Sequence, residues 1–186
     1  MAAAIDKITQ VAGGKFLQME LIEFTDARGK KRKWEAVSRT NSSGAALIIP
    51  HIVPDDTFIL IRQFRPPAGK LVLEFPAGLI DPGEDAATAA VRELSEETGY
   101  RGKVVNCLPP GNSSPGMSGE TVTLVVLEVD GSYYKEHAPE AHPEENEDIE
   151  VFVVPRQELP AFIAAQREMG VGIDVKLQTF VLGLNF

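Results

Sequence analysis

Residues 78–100 read GLIDPGEDAATAAVRELSEETGY and hold six acidic side chains against one basic side chain. Apolar and alanine residues recur at helical spacing, which predicts a helix over 84–98, and Gly99 is the expected left-handed residue that ends it. Acidic helix faces are common on protein surfaces, so the charge alone would indicate only a solvated helix. The spacing of the acids indicates something more specific.

Three of these acids share one side of the predicted helix. At about 100° per residue, Glu93, Glu96 and Glu97 fall within a sector of about 100°. Like charges at this spacing destabilise an isolated helix, and a divalent cation bound between them would reverse that effect. The ligands are oxygen atoms only, which favours Mg²⁺ or Mn²⁺ over Zn²⁺. Alanines 86, 89 and 90 lie beside the carboxylates, and we expect their small side chains to leave room for ions and a phosphate.

The composition of the whole chain narrows the function classes. It has 186 residues, 44% hydrophobic and 24% charged, with a net charge of −9, which is typical of one folded domain and argues against a nucleic-acid-binding protein. The one cysteine, Cys107, cannot form an intrachain disulfide and is expected to be a small core residue. No apolar run reaches about 20 residues and no signal-peptide pattern is present, so we expect no membrane association and a cytoplasmic location.

Turn residues divide the chain into two predicted parts. Residues 1–42 are expected to form an N-terminal antiparallel β-hairpin, with strands over 15–24 and 31–39. Residues 43–186 are expected to form the main domain, and the mixture of strands and helices predicts an α+β fold. Its predicted strands cover 45–53, 57–64, 71–75, 103–108, 121–129 and 149–154, and its other predicted helices cover 158–169 and 174–184.

The acidic stretch also matches a known motif. Its order is Gly78, five residues, Glu84, seven residues, Arg92-Glu93, Leu94, one residue, Glu96-Glu97, one residue and Gly99. This string resembles the Nudix box of the Nudix hydrolase family at every fixed position, with Tyr100 in the final apolar position. The resemblance implies an αβα sandwich and metal-dependent hydrolysis of a nucleoside diphosphate linked to another moiety. It also implies that the metal ligands are the carbonyl of Ala77 and the side chains of Glu93, Glu96 and Glu97, with support from Glu84 and Arg92.

Motifs outside this box are similar to those of the ADP-ribose and ADP-sugar pyrophosphatase subgroup. They are Gln63-Phe-Arg-Pro-Pro67, Glu74-Phe-Pro-Ala-Gly-Leu-Ile-Asp81, Trp34-Glu-Ala-Val-Ser-Arg39, and Pro115 at 16 residues after Gly99. The resemblance implies hydrolysis of ADP-ribose or an ADP-sugar to AMP and a sugar phosphate by a homodimer. Oxidised nucleoside diphosphates or other nucleotide sugars are alternative substrates. A non-catalytic nucleotide-sensing domain is the alternative of a different class.

The same resemblance assigns substrate contacts. Arg39 and Arg65 are guanidinium donors suited to bidentate contact with the diphosphate. Phe16 and Trp34 are implied to sandwich the adenine, one from each subunit of the dimer. Gly116 and Met117 are expected near the ribose or the metal-side phosphate.

A second acidic segment, residues 136–150, holds seven acids and no Lys or Arg. Two prolines and few apolar residues predict a mobile, solvated loop. Counted back from Pro155, Glu147 matches the loop glutamate that acts as a base, or positions the water, in the resembling enzymes. Glu144 and Asp148 are alternatives for this role. A loop that carries the base would fit closure on the substrate.

Overall fold

The computed structural model describes residues 2–40, 42, 44–143 and 147–184. The chain begins with a three-stranded antiparallel sheet in the order β1 (Ala4–Gly13), β2 (Leu17–Thr25) and β3 (Lys31–Arg39). The turn between β2 and β3 is closed by Asp26, whose carboxylate accepts hydrogen bonds from the backbone N–H groups of Arg28 and Lys30, each at 2.9 Å. The predicted hairpin is therefore present, but β1 extends it to a three-stranded sheet.

The second sheet carries the rest of the strands. Its main path runs β12-β6-β5-β4-β10-β8, while β11 pairs with β5, β7 with β4 and β9 with β10. Strand β10 runs parallel to β4, and the polypeptide between them contains β5 to β9 and the first helix. The strands are β4 (Ala45–Val53), β5 (Thr57–Arg65), β6 (Lys70–Glu74), β7 (Ala77–Leu79), β8 (Gly102–Cys107), β9 (Gly111–Asn112), β10 (Thr121–Asp130), β11 (Ile149–Pro155) and β12 (Gly172–Ile173).

The helices are α1 (Ala86–Thr98), α2 (Gly131–Tyr134), α3 (Leu159–Glu168) and α4 (Val175–Gly183). Asp85 caps α1 by accepting a hydrogen bond from Thr88 N at 2.7 Å, and Asp174 caps α4 by accepting one from Lys176 N at 2.7 Å. Gly99 ends α1 in the left-handed region with φ 75°, as the sequence predicts. Both capped helices begin within two residues of their predicted starts.

Two cores lie on opposite faces of the second sheet. Ile48 and Ile59 point to the side covered by α1, where Leu94 is fully buried. The neighbouring Leu47 and Leu60 point to the other side, against α3 and α4. Alternate residues of β4 and β5 therefore face different helix layers. This arrangement confirms the predicted α+β, αβα-layered fold.

One predicted core residue is wrong. Cys107 is exposed because it is the last residue of β8, which lies at the end of the sheet path. No described helix combines the length and apolar character that crossing a membrane requires. The cytoplasmic location and the division at residue 43 stay predictions.

Candidate active site

The acid-bearing side of α1 faces the protein interior. Ala89 and Ala90 are fully buried in the core, and Glu97 on the same side is only 2% exposed. The expectation that these alanines leave room for ions is therefore wrong for residues 89 and 90. Their small side chains instead let the helix contact β4 and β7 closely. This close packing brings the carboxylates of α1 against the start of β7.

Glu97 lies at the centre of this contact. Its Oε2 accepts a hydrogen bond from the backbone N–H of Ala77 at 3.1 Å. Burial, followed by the nearby charges of Glu93 and Glu147, raises the pKa of Glu97 to about 9. At neutral pH the buried carboxyl therefore holds a proton unless a cation compensates its charge.

Glu93 packs directly on the bare backbone of β7. A Cβ atom at Gly78 would lie 1.8 Å from Cδ of Glu93, so any larger residue at this position would displace the Glu93 carboxylate. Burial raises the pKa of Glu93, and the charges of Glu96 and Glu147 act in the same direction. The neighbouring Arg92 opposes this rise but does not cancel it.

Arg92 holds the acidic cluster together on its outer side. Its Nε and Nη2 donate to the two carboxylate oxygens of Glu84, at 3.1 and 2.9 Å. Its Nη1 donates to Glu93 at 2.7 Å and to Glu96 at 3.0 Å. The Arg92–Glu96 pair is the one expected from the i, i+4 spacing. Nη2 also donates to the carbonyl of Leu79 at 3.2 Å. Arg92 thus links the loop before α1 to two of the predicted metal ligands.

The donor set fits a divalent cation chemically. Within the described parts of the chain, no group of three or more His, Cys, Asp or Glu side chains is arranged so that it could hold a metal ion. Nη1 of Arg92 holds one carboxylate oxygen each of Glu93 and Glu96. Burial raises the pKa of Glu93 and of Glu97, and neighbouring carboxylates raise both further, so the negative charge on these hard oxygen donors is poorly compensated. A bound Mg²⁺ or Mn²⁺ would compensate that charge.

A cleft of about 590 Å³ opens beside this cluster. Six of the predicted site residues line it: Arg39, Arg65, Ala77, Arg92, Glu93 and Glu147. Two residues that no sequence motif predicts, Glu120 and Lys176, also line the cleft. Glu120 immediately precedes β10 and Lys176 lies in α4, both far in sequence from the acidic motif.

The predicted base lies in the cleft, and its alternative does not. Glu147 is half-buried and lines the cleft, whereas Asp148 is exposed and does not line it. Glu144 lies outside the described residues. The preceding segment is anchored across the end of α1, where His142 N donates to the carbonyl of Glu96 at 2.9 Å. This hydrogen bond fixes the backbone at residue 142, five positions before Glu147.

Trp34, one of the two residues predicted to bind adenine, lies on the N-terminal sheet. This sheet contacts the loop with Gly116 and Met117, which are predicted near the ribose or the metal-side phosphate. Trp34 is 52% exposed, and its Nε1 donates to the carbonyl of Gly116 at 3.0 Å. Val37 N donates to the carbonyl of Met117 at 2.9 Å, which fixes β3 against the same loop. Phe16 is 66% exposed and immediately precedes β2. The structure therefore groups Trp34, Gly116 and Met117, and leaves Phe16 apart from them.

The β2–β3 register gives the distance between the two aromatic residues. Leu17 pairs with Arg39, and Ile22 pairs with Trp34, so Phe16 lies six positions along the sheet from Trp34. At about 3.3 Å per residue this is about 20 Å. Rings that sandwich a base lie about 7 to 8 Å apart, twice the van der Waals contact distance. Within one chain, Phe16 and Trp34 therefore cannot contact opposite faces of the same adenine.

Comparisons with known proteins agree with the fold and the motif. The chain is 36% identical over 185 residues to the ADP-ribose pyrophosphatase of Saccharomyces cerevisiae, covering 95% of this chain and 80% of that protein. It is 35% identical over 183 residues to the ADP-sugar pyrophosphatase of Mus musculus, covering 94% and 84%. The crystal structure of an ADP compounds hydrolase superposes with a TM-score of 0.70 at 26% identity, covering 88% of this chain and 84% of that one. The family model of the NUDIX domain matches residues 43–171, and the chain therefore belongs to the NUDIX family.

Proposed function

We propose that this protein hydrolyses the diphosphate of ADP-ribose and related ADP-sugars and releases AMP and a sugar phosphate. The observation that carries the proposal is that Glu93 of α1 lines one cleft together with Arg39 and Arg65 from two strands. Glu97, one helical turn from Glu93, accepts a hydrogen bond from Ala77, which lines the same cleft. Acidic groups for a cation and guanidinium groups for a diphosphate are the two requirements of phosphoanhydride hydrolysis. The names of the two relatives support ADP-ribose and ADP-sugars as the substrates.

The residues divide into three tasks in this proposal. Mg²⁺, with Mn²⁺ as a substitute, would be held by the Ala77 carbonyl, Glu93, Glu96 and Glu97, and would neutralise phosphate charge and acidify the attacking water. Arg39 and Arg65 bind the non-bridging oxygens of the diphosphate, in the substrate and in the transition state alike. Glu147 accepts the proton of the water that attacks one phosphorus, and the bond from that phosphorus to the bridging oxygen breaks.

We also propose that the active unit is a homodimer. Phe16 and Trp34 are about 20 Å apart along one sheet, so a shared adenine site needs one residue from each of two chains. The N-terminal sheet also exposes Ile5, Ile8 and Val11, an apolar surface that a second copy would cover. Light scattering tests this proposal. A monomer that hydrolyses ADP-ribose at the full rate would contradict it.

A substrate panel tests the substrate assignment. The panel contains ADP-ribose, other ADP-sugars, UDP- and GDP-sugars and oxidised nucleoside diphosphates, each assayed with Mg²⁺ and with EDTA. We expect the highest kcat/KM for ADP-ribose or an ADP-sugar, with AMP and the sugar phosphate as products. A higher kcat/KM for an oxidised nucleoside diphosphate, or binding without any cleavage, would contradict the proposal.

A further inference from the structure

Two arginines in the cleft are held in the same way. Arg39, the last residue of β3, donates from Nε to Glu120 Oε1 at 2.5 Å. Arg65, the last residue of β5, donates from Nε to Glu74 Oε1 at 2.8 Å. In the hydrogen bonds among the described residues, each guanidinium uses only its Nε. The Nη1–Nη2 edge, which forms bidentate contacts with phosphate, is left available on both arginines.

We propose that Glu120 is a positioning residue that fixes the guanidinium of Arg39 so that its Nη1–Nη2 edge can receive the diphosphate. This inference deepens the proposed function and rests on it. Glu120 is well placed for the task, because both it and Arg39 line the cleft. Its own backbone is fixed: its N–H donates to Ser118 Oγ at 3.2 Å, and its carbonyl accepts from Ser113 N at 3.3 Å.

Electrostatics alone would disfavour this carboxylate. A negative charge in a cleft for an anionic diphosphate weakens the attraction of Arg39 for the substrate. Its benefit is the order it imposes, because the side chain of Arg39 is 41% exposed and would otherwise sample many rotamers. Glu120 fixes one of them before the substrate arrives, which reduces the entropy lost on binding. The contact also joins the N-terminal sheet to the residue that precedes β10, across 81 residues of sequence.

Two substitutions separate the hydrogen bond from the charge. Glu120→Gln keeps an oxygen that can accept the Nε–H of Arg39 but removes the charge, whereas Glu120→Ala removes both. We expect Glu120→Ala to raise KM for ADP-ribose about five- to tenfold with kcat changed less than about twofold, because the lost interaction serves ground state and transition state alike. Glu120→Gln should leave KM at or below the parent value. Glu23→Gln is the matched control, because Glu23 forms a salt bridge with Lys33 in the same N-terminal sheet, at 3.2 Å and outside the cleft.

The background Arg39→Ala shows whether Glu120 acts through Arg39. In that background Glu120→Ala should have no further effect on KM. An unchanged KM in Glu120→Ala, an equal rise in Glu120→Ala and Glu120→Gln, or an additive effect in the Arg39→Ala background would each overturn the inference.

Calorimetry of ADP-ribose binding in EDTA compares Glu120→Ala with the parent in the absence of turnover. The ratio of dissociation constants between Glu120→Ala and the parent should again be about five to ten. A parent that binds ADP-ribose in EDTA but does not cleave it with Mg²⁺ contradicts the proposed function. The dissociation constants of the parent and Glu120→Ala would still test the role of Glu120. A parent that does not bind ADP-ribose overturns both.

Discussion

The buried carboxyl of Glu97 lowers the stability of the metal-free protein, and removing its charge is expected to raise that stability. The pKa of Glu97 is about 9 in the folded protein, against 4.5 for an ordinary glutamate. Between these two pH values the folded state binds more protons than the unfolded state, so the free energy of unfolding falls as pH rises. At pH 7 this amounts to about 3.5 kcal/mol, from about 2.5 pH units at about 1.4 kcal/mol each.

Glu97→Gln removes this pH-dependent cost while preserving the shape of the side chain. Its amide oxygen can still accept the hydrogen bond from Ala77 N, but a buried amide N–H without a partner costs about 1 kcal/mol. The expected net gain at pH 7 is about 2.5 kcal/mol, or a rise in Tm of roughly 5 to 10 °C for a chain of this size. Near pH 5 the gain should vanish, and at lower pH Glu97→Gln should be the less stable protein by up to about 1 kcal/mol.

Urea unfolding of the parent and Glu97→Gln in EDTA, at pH 5, 6, 7 and 8, measures this difference. Glu168→Gln, an exposed substitution at the end of α3, is the control and should match the parent at each pH. Saturating Mg²⁺ should stabilise the parent more than Glu97→Gln. The stability advantage of Glu97→Gln over the parent should therefore shrink or reverse. A difference between parent and Glu97→Gln that stays constant from pH 5 to pH 8 would refute the reasoning.

Substitutions at three further positions test the surroundings of the site. Gly78→Ala would place a Cβ atom 1.8 Å from Cδ of Glu93, so it should displace that carboxylate and lower the rate of AMP release at least about tenfold, with Tm measured to exclude unfolding. Gly99→Ala should lower the free energy of unfolding by about 1 to 3 kcal/mol in urea titrations, because φ is 75° and a Cβ atom would lie 2.5 Å from Glu140 N. Trp34→Ala should raise KM for ADP-ribose about tenfold, as loss of one base-stacking contact predicts, while Trp34→Phe should retain most of the affinity; equal KM values for all three proteins would exclude stacking.

Local signals were sufficient for most elements of the fold. Helix α1 and its end at Gly99 follow from apolar spacing and a left-handed glycine, and both are confirmed. Strand β1 was missed because nearly all of its side chains are exposed, so it shows no alternation of buried and exposed residues. Its place is set by pairing with β2, a contact that local periodicity does not encode. Cys107 was misplaced because residue type does not reveal that a strand lies at the end of the sheet path.

The candidate site shows the same division between local and tertiary information. The Arg92–Glu96 pair follows from helical spacing and is present. Helical spacing does not predict the orientation of α1 in the fold. That orientation depends on the contact of Glu97 with β7, a strand of three residues that is too short to predict. Glu120 was missed because its contact with Arg39 joins residues 81 positions apart. Helical spacing thus predicted the acidic cluster, while the walls of the cleft depend on the tertiary fold.

The central claim is that the carboxylates of α1 support Mg²⁺-dependent hydrolysis of ADP-ribose. AMP release measured with Mg²⁺ and with EDTA, for the parent, Glu97→Gln and Glu168→Gln, tests it most directly. We expect the parent and Glu168→Gln to release AMP only with Mg²⁺, and folded Glu97→Gln to be slower by at least about 100-fold. A parent that releases no AMP, or a Glu97→Gln protein that keeps the parent rate, would contradict the claim.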